Sequence, residues 1–255
     1  MVVTIRRLAM VTLALLPGAA LAQATGSLSD AWLTTLRQHQ GPASWSHAVV
    51  LREATRDALP ARQARLQAEL DTLVASARLS GAGGLGHGLA AWRARVANAD
   101  SERSRTPGRH DLPWIAANLR RDLAMRDVAR WGLCEPPSWV ELWHYRGITR
   151  LAWQPGLTLP GALAALPNAA RQGVSRAAVV TPVGDVEPRG AARWNRDATP
   201  LAAGSRVVLG LPENQGLRAA MPFPGTVEEA GWVNERLPAF LATRLPGDEC
   251  ALSEK

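Results

Sequence analysis

The fold is decided by residues 177–211, which read AAVVTPVGDVEPRGAARWNRDATPLAAGSRVVLGL. Apolar runs stand at both ends of this stretch, Ala177–Val180 and Arg206–Leu211, and a shorter segment, Val186–Arg189, follows a Val-Gly-Asp turn. The residues between them include Gly, Pro, Asn and Asp, which are typical of turns. Short β-rich runs separated in this way predict the strands of a small sheet.

Two elements upstream complete the order of a domain. Residues 139–153 (WVELWHYRGITRLAW) predict a β-hairpin whose turn contains Arg146–Gly147. Leu159–Leu166 predicts a short helix with Pro160 in its first turn. A hairpin, a helix and three further strands follow one another in β-grasp domains. We therefore predict an α+β fold with a β-grasp domain over residues 136–225.

The preceding residues, 23–135, are predicted to form a helix-rich domain. Apolar residues recur there at helical spacing in four segments, and one apolar run predicts a strand. The predicted elements are the helices Gly26–Gln38, Pro60–Leu79, Leu89–Ala97 and Trp114–Met125, and the strand His47–Leu51. The second and third helices form a hairpin around the loop Ser80–Gly88. The polar segment Asp100–Arg109 is expected to be mobile.

Both ends of the chain carry recognisable signals. Arg6 and Arg7, the apolar stretch Leu8–Leu16 and the motif Ala20-Leu21-Ala22 predict a secretory signal peptide over residues 1–22. This apolar stretch is too short to span a bilayer, so we expect an exported chain without a membrane span.

Glu135-Pro136-Pro137 predicts a domain boundary. The terminal region, 226–255, is expected to hold an amphipathic helix, Thr226–Leu245, which Pro238 can kink.

The basic charge of the chain says little about its partner. Lysine and arginine number 29 against 22 acidic residues, and Lys255 is the only lysine. A nucleic-acid binder would show a basic stripe with aromatic residues or a recognition helix, and the sequence shows neither. We expect no nucleic-acid partner. Two interpretations of the basic charge remain. Either the surface attracts an acidic polysaccharide or an acidic protein, or it is basic only because of codon usage.

Cysteine, glycine and histidine residues are candidates for a disulfide, a dinucleotide site and a metal site. Cys134 and Cys250 are the only cysteines, and in an exported chain they are expected to pair. Gly81, Gly83 and Gly86 spell G-x-G-x-x-G, but they follow a predicted helix instead of a strand, which favours a flexible helix–helix turn over a dinucleotide site. The histidines stand at no metal-ligand spacing. We therefore expect no metal and no cofactor.

Tryptophan is unusually frequent, with ten residues against one tyrosine. Three of them lie on apolar helix faces and are expected in the core: Trp32, Trp92 and Trp232. Three others crowd the predicted hairpin, where some pack inward and others could stack on a sugar or a partner: Trp139, Trp143 and Trp153. Glu141 shares the strand face of Trp139 and Trp143, an aromatic setting that suits a sugar.

A family resemblance rests on the order of motifs in the second half of the chain. The motifs are Val179-Val180-Thr181-Pro182 with Gly184 and Asp185, then Ala191 with Arg193-Trp194-Asn195, Pro200, Gly204-Ser205-Arg206, and the closing Leu241–Pro246. In this order the sequence resembles the GfcC (YjbG-like) family of capsule and exopolysaccharide biosynthesis proteins. Ala48–Val50 followed by a helical hairpin extends the resemblance towards the N-terminus.

The resemblance implies a periplasmic, non-enzymatic protein of β-grasp domains, similar to soluble domains of the Wza-type outer-membrane polysaccharide exporter. Such a protein would bind the exporter, a sister protein or the polymer, and no catalytic residue is carried over. The family usually has two β-grasp domains, with the helical hairpin inserted in the first. Only Gln23–Gly26 separate the expected cleavage site, near Ala22, from the first helix. The first domain is therefore expected to be truncated, or to complete its sheet with a partner strand.

The candidate ligand or partner surface combines the hairpin with the tryptophan-containing turn. Its residues are Trp139, Glu141, Trp143, Arg193, Trp194 and Asn195. A structural corner is the simpler expectation for Trp194 and Asn195. The alternative function is a polysaccharide-processing enzyme or a carbohydrate-binding module that uses Glu141 and its neighbouring tryptophans. A third reading is an exported domain whose sheet serves only assembly.

Overall fold

The computed structural model describes residues 26–39, 41–211, 221, 223 and 225–255. The predicted signal peptide, residues 1–22, lies outside these described residues. Within them the fold consists of two β-sheets, with helices packed on both faces of the larger sheet. The predicted α+β class is confirmed.

Helices and strands alternate irregularly along the described chain. The helices are α1 (Leu28–Gln38), α2 (Glu53–Leu79), α3 (Gly83–Ala97), α4 (Leu112–Ala117), α5 (Leu159–Ala164), α6 (Asn168–Arg171) and α7 (Thr226–Ala242). The strands are β1 (Ala48–Arg52), β2 (Val128–Cys134), β3 (Trp139–His144), β4 (Gly147–Ala152), β5 (Arg176–Val180), β6 (Val186–Gly190), β7 (Arg206–Leu209) and β8 (Cys250–Glu254).

The larger sheet has five strands in the order β4-β3-β7-β5-β6. The central pair, β3 and β7, is parallel, and the other neighbours are antiparallel. The strands and the hairpin predicted from residues 139–153 and 177–211 are confirmed within two residues at their ends. All four residues of β7 are buried because this strand has a neighbour on each side and helices above and below.

Side chains alternate between the two faces of this sheet, and helices cover both faces. Val140 and Leu142 of β3 pack with Val179 and Val207 against α5. On the opposite face Trp143, Val180 and Val208 pack against α2, α3 and α7. The predicted hairpin of α2 and α3 thus covers the larger sheet together with the C-terminal helix.

The smaller sheet is antiparallel, with three strands in the order β1-β2-β8. Strand β8 was not predicted, and it brings the end of the chain beside β2. Cys134 lies directly opposite Cys250 in this pairing, and the two form the predicted disulfide across 116 residues of sequence.

Several helix boundaries differ from the predictions, and two of the differences have a local cause. Helix α2 begins at Glu53, seven residues before Pro60, because the buried Leu59 anchors the added turns despite the hydrogen bond that Pro60 cannot donate. The predicted helix Trp114–Met125 stops at Ala117, where Asn118 leaves the helical conformation.

Three further predictions on local structure are wrong. The segment Asp100–Arg109 is not a mobile loop, since Ser104 and Arg105 are buried within it. The glycine-rich stretch after α2 is largely helical, because α3 already begins at Gly83. Trp232 is 44% exposed, because the face of α7 that enters the core is formed by Val233, Leu237 and Leu241. Trp32 and Trp92 are buried as predicted.

Candidate functional site

The six candidate surface residues form two separate groups. Trp139, Glu141 and Trp143 alternate along β3, on one face of the larger sheet. The turn that holds Arg193, Trp194 and Asn195 follows β6 at the far end of the sheet. The two groups are separated because β7 and β5 lie between β3 and β6 in the sheet. The turn is anchored at Ser175, directly before β5, and β5 runs antiparallel to both β7 and β3.

Glu141 is buried at the centre of a network of donors. The indole Nε1 of Trp143 donates to Glu141 Oε1 over 2.8 Å, and Arg150 Nε donates to Oε2 over 3.1 Å. Arg95 Nη1 donates to Oε2 over 3.4 Å, and Arg206 Nε lies 3.8 Å from Oε1. One buried carboxylate is thus shared by three guanidinium groups and one indole.

Trp139 lies at the outer edge of this network. The guanidinium of Arg150 stacks over its ring at 4.2 Å, and its Nε1 donates to Asp248 Oδ2 over 3.0 Å. Asp248 also accepts from Arg150 Nη1 over 3.2 Å. These contacts connect β3 and β4 to the loop between α7 and β8.

A cavity of about 180 Å³ opens beside Glu141, between the sheet, α3 and the end of α7. Its charged lining consists of five arginines and three acidic residues, which leaves a net charge of +2: Arg95, Arg103, Arg150, Arg206, Arg244, Asp100, Glu141 and Asp248. The remaining wall is mainly apolar, with Trp143, Phe240, Leu241 and Leu245. We call this space the arginine cavity.

Two of these arginines lie deep, each only 8% exposed. Arg206 Nη2 donates to the carbonyl of Leu245 over 2.7 Å, and Arg244 Nη1 donates to the carbonyl of Asp100 over 2.8 Å. The Nε of Arg244 is buried and has no hydrogen-bond partner among the described residues. A buried polar group without a partner costs about 1–3 kcal/mol, so this donor needs an acceptor.

Burial, and to a lesser degree repulsion from neighbouring arginines, lowers the pKa of both deep arginines. Loss of solvent lowers the pKa of Arg206 to about 10, although Glu141 opposes this shift. Loss of solvent, reinforced by the charge of Arg206, likewise lowers the pKa of Arg244 to about 10. With pKa values near 10 both groups stay protonated at neutral pH, and the five arginines of the cavity outnumber its three carboxylates.

Arg105 is a further arginine whose side chain is almost completely buried. Its Nε donates to the carbonyl of Ala242 over 2.9 Å, in the last turn of α7, where the helix dipole favours a cation. Its other nitrogens donate to the carbonyls of Thr181 and Pro182. Burial lowers the pKa of Arg105 to about 9. This residue joins three segments without lining the cavity.

The second group of candidate residues divides between structure and surface. Asn195 Oδ1 accepts from the backbone N–H of Ala192 over 2.9 Å, and its Nδ2 donates to the carbonyl of Ser175 over 3.0 Å, which forms a structural corner. Arg193 is exposed, and Trp194 is 82% exposed. Only these two side chains of the group are free to meet a partner.

The arginines around Glu141 were not predicted as site residues. One signal was available for Arg150, because the predicted hairpin places it opposite Glu141, and opposite charges in that position attract. Arg206 stands in the motif Gly204-Ser205-Arg206, but its burial follows only from the central place of β7. Arg95 reaches the cavity from α3 and Arg244 from the segment just after α7, and no local pattern indicates this.

The chain matches no family model and no curated protein sequence. Among the described residues, no three His, Cys, Asp or Glu side chains are grouped so that they could hold a metal ion. No helix in the described part of the chain has both the length and the apolar character needed to cross a membrane.

Proposed function

We propose that this chain is an exported, periplasmic, non-enzymatic accessory protein that assists the assembly or export of a capsule or exopolysaccharide by binding. The observation that carries the proposal is the sheet order β4-β3-β7-β5-β6, with α5 between β4 and β5. The first and last strands of this unit, β3 and β7, are parallel neighbours at its centre. This arrangement supports a β-grasp domain, and most of the motifs that resemble the GfcC family lie on its strands and in the turns that connect them.

The remaining elements also suit this proposal. Helices α2 and α3 form the helical hairpin expected for the first domain, and α7 forms the amphipathic C-terminal helix. The three-stranded sheet is small, and its edges in the described residues are β1 and β8. We propose that it represents the truncated first β-grasp domain, and that an open edge can receive a strand from a partner.

The surroundings of Glu141 favour binding over hydrolysis. A glycosidase needs a carboxyl group whose oxygen reaches the scissile bond, usually in partnership with a second carboxyl group. Both oxygens of Glu141 already accept hydrogen bonds from the protein's own Arg95, Arg150 and Trp143. The carboxylate therefore serves to hold the arginines in place.

Two partner classes fit the described surface. The net positive arginine cavity suits an acidic polymer, whereas the exposed Trp194 and Arg193 suit a protein such as the outer-membrane exporter or a sister protein. The two surfaces lie at opposite ends of the larger sheet, so one protein could hold both partners.

A deletion strain tests the proposed function. We expect loss of surface polysaccharide, measured as cell-bound acidic sugar under inducing conditions, and recovery when the full-length gene is restored. A gene that lacks codons 2–22 is the matched control, because its product would stay inside the cell and should not restore the polymer. Unchanged surface polysaccharide in the deletion strain would contradict the proposal.

A second measurement addresses the alternative enzyme. Purified protein incubated with the host's own polymer should release no new reducing ends above the level of heat-inactivated protein. Steady release of sugar would support the processing enzyme instead.

A further inference from the structure

The arginine cavity contains positive charge that the described chain does not balance. Arg95, Arg150 and Arg206 share the carboxylate of Glu141, and Arg150 also contacts Asp248. None of the ion pairs within 4.0 Å among the described residues includes Arg103 or Arg244. An additional anion would therefore meet cations that lack a carboxylate partner.

Arg244 is held in position without its hydrogen bonds being complete. Its Nη1 is engaged by the carbonyl of Asp100, and its guanidinium lies 5.0 Å from the ring of Phe240. Its buried Nε lacks an acceptor among the described residues. A fixed, desolvated donor of this kind is suited to bind a ligand, because little ordering is needed when the ligand arrives.

We propose that the arginine cavity binds the carboxylate end of an acidic sugar unit, with Arg244 and Arg206 as its deep donors; this inference rests on the proposed function in polysaccharide assembly. Arginine is suited to this role because its planar fork of N–H groups matches the two oxygens of a carboxylate.

The shape of the cavity selects among anions. Its volume of about 180 Å³ is below the roughly 300–1,000 Å³ typical of small-molecule pockets, so it admits a single small unit. Phe240, Leu241 and Leu245 supply an apolar wall that the body of a sugar ring can cover. An inorganic anion would leave this wall without contact, so a sugar acid fits both halves of the lining.

The mouth of the cavity is charged and accessible. The side chains of Arg95 and Arg150 are 50% and 41% exposed, and Trp139 stands beside Arg150. An approaching acidic polymer would meet these groups first, and one of its carboxylates could then reach Arg206 and Arg244. Attraction at the mouth predicts binding that weakens as salt increases.

The test is titration calorimetry of the purified exported form with sodium glucuronate, glucose and sodium sulfate at equal ionic strength. We expect heat of binding with glucuronate and none with glucose, and weaker binding of sulfate. Arg244→Gln should weaken glucuronate binding by about tenfold or more, because one charged donor is lost from a buried site. Arg62→Gln changes an exposed arginine of α2 that forms no ion pair within the described part of the chain, and it should leave the affinity unchanged.

A second variant protects the test against misfolding. Arg95→Gln lies at the exposed rim, so it should fold normally, weaken glucuronate binding by about threefold and reduce its salt dependence. Circular dichroism confirms folding for both variants. Absence of glucuronate binding by the folded wild type overturns the proposal, and so does equal affinity for sulfate and glucuronate.

The test of glucuronate binding can fail independently of the test of the proposed function. If the deletion strain loses its polymer while the purified protein ignores glucuronate, the cavity proposal fails and the accessory role stands. If glucuronate binds but the deletion strain is unchanged, the role in polymer assembly fails instead.

Discussion

At the residue scale, buried arginines hold distant segments of this structure together in addition to the hydrophobic core. Removing a guanidinium from water is costly, and the cost is offset only when its N–H groups find acceptors. Arg105 finds three backbone carbonyls, one of them in the last turn of α7. Two segments far apart in the sequence, at Thr181–Pro182 and at Ala242, therefore converge on this one side chain.

Replacing Arg105 should destabilise the fold strongly. Arg105→Met keeps most of the side-chain volume but leaves the carbonyls of Thr181, Pro182 and Ala242 without this donor. We expect the free energy of unfolding to fall by about 3 kcal/mol, measured by urea denaturation. Arg62→Gln is the matched control and should change it by less than about 0.5 kcal/mol. A loss below about 1 kcal/mol for Arg105→Met would show that these carbonyls find other donors.

Buried histidines predict a loss of stability in mild acid. Burial lowers the pKa of His144 below its ordinary value of 6.5, and its Nδ1 accepts the backbone N–H of Arg146. The unfolded chain takes up a proton near pH 6.5 while the folded chain resists it. Stability that is present above pH 6.5 is therefore lost as the pH falls below that value, by up to about 1.4 kcal/mol per unit of lowered pKa.

Urea denaturation at pH 7.5 and pH 5.5 measures this effect. His144→Gln should reduce the difference between the two pH values, while His39→Gln, at an exposed position, should leave it as in the wild type. Part of the difference should persist in His144→Gln, because burial also lowers the pKa of His47 and His110. An unchanged difference in His144→Gln would contradict the assignment.

At the scale of elements, the glycines of α3 set how closely this helix approaches the larger sheet. A Cβ atom at Gly88 would lie 1.9 Å from the carbonyl oxygen of Tyr145, in the turn between β3 and β4. Trp92 Nε1, one turn further along α3, donates to the carbonyl of Gly147 over 3.2 Å. The helix therefore contacts the hairpin through backbone at Gly88, which explains the glycine at this position.

Two alanine substitutions in α3 separate close packing from helix propensity. Gly88→Ala should lower the free energy of unfolding by about 1–3 kcal/mol, because the backbone of the hairpin must shift. Gly83→Ala, where a Cβ meets nothing within 4 Å, should be neutral or stabilising by up to about 1 kcal/mol. The midpoints of urea denaturation provide the comparison, and equal effects of the two changes would argue against the close contact.

At the scale of the whole molecule, the end of the chain holds the two sheets together. Helix α7 covers the larger sheet, Arg244 then contacts the segment at Asp100, and β8 pairs with β2 in the smaller sheet. The disulfide between Cys134 and Cys250 closes this path. The C-terminal part of the chain thus supplies the third strand of the sheet that the N-terminal half begins.

Loss of the disulfide should therefore weaken the entire molecule. The double variant Cys134→Ser/Cys250→Ser frees a loop of 116 residues in the unfolded chain, which the chain-entropy relation values at about 4–5 kcal/mol. Urea denaturation should show this loss, and amide hydrogen exchange should increase first in β8. Wild type treated with reductant serves as the control and should match the double variant. Unchanged exchange in β8 would contradict a structural role of the bond.

The sequence by itself determined the strands and helices whose signals are local. Apolar runs between turn residues identified β5, β6, β7 and the hairpin, and periodic apolar residues identified α1 and most of α7, because side-chain spacing follows backbone geometry directly. The expectation that the chain is exported to an oxidising compartment predicted the disulfide.

Only the tertiary structure decided where the charged residues lie. Arg95, Arg150, Arg206 and Arg244 come from parts of the chain that are distant in sequence, and they line one cavity beside the buried Glu141 because strand order and helix packing bring them there. Strand β8 and the burial of Arg105 likewise depend on contacts between segments distant in sequence. The physical reason is that burial and pairing of charges are set by long-range neighbours, which local propensity does not encode.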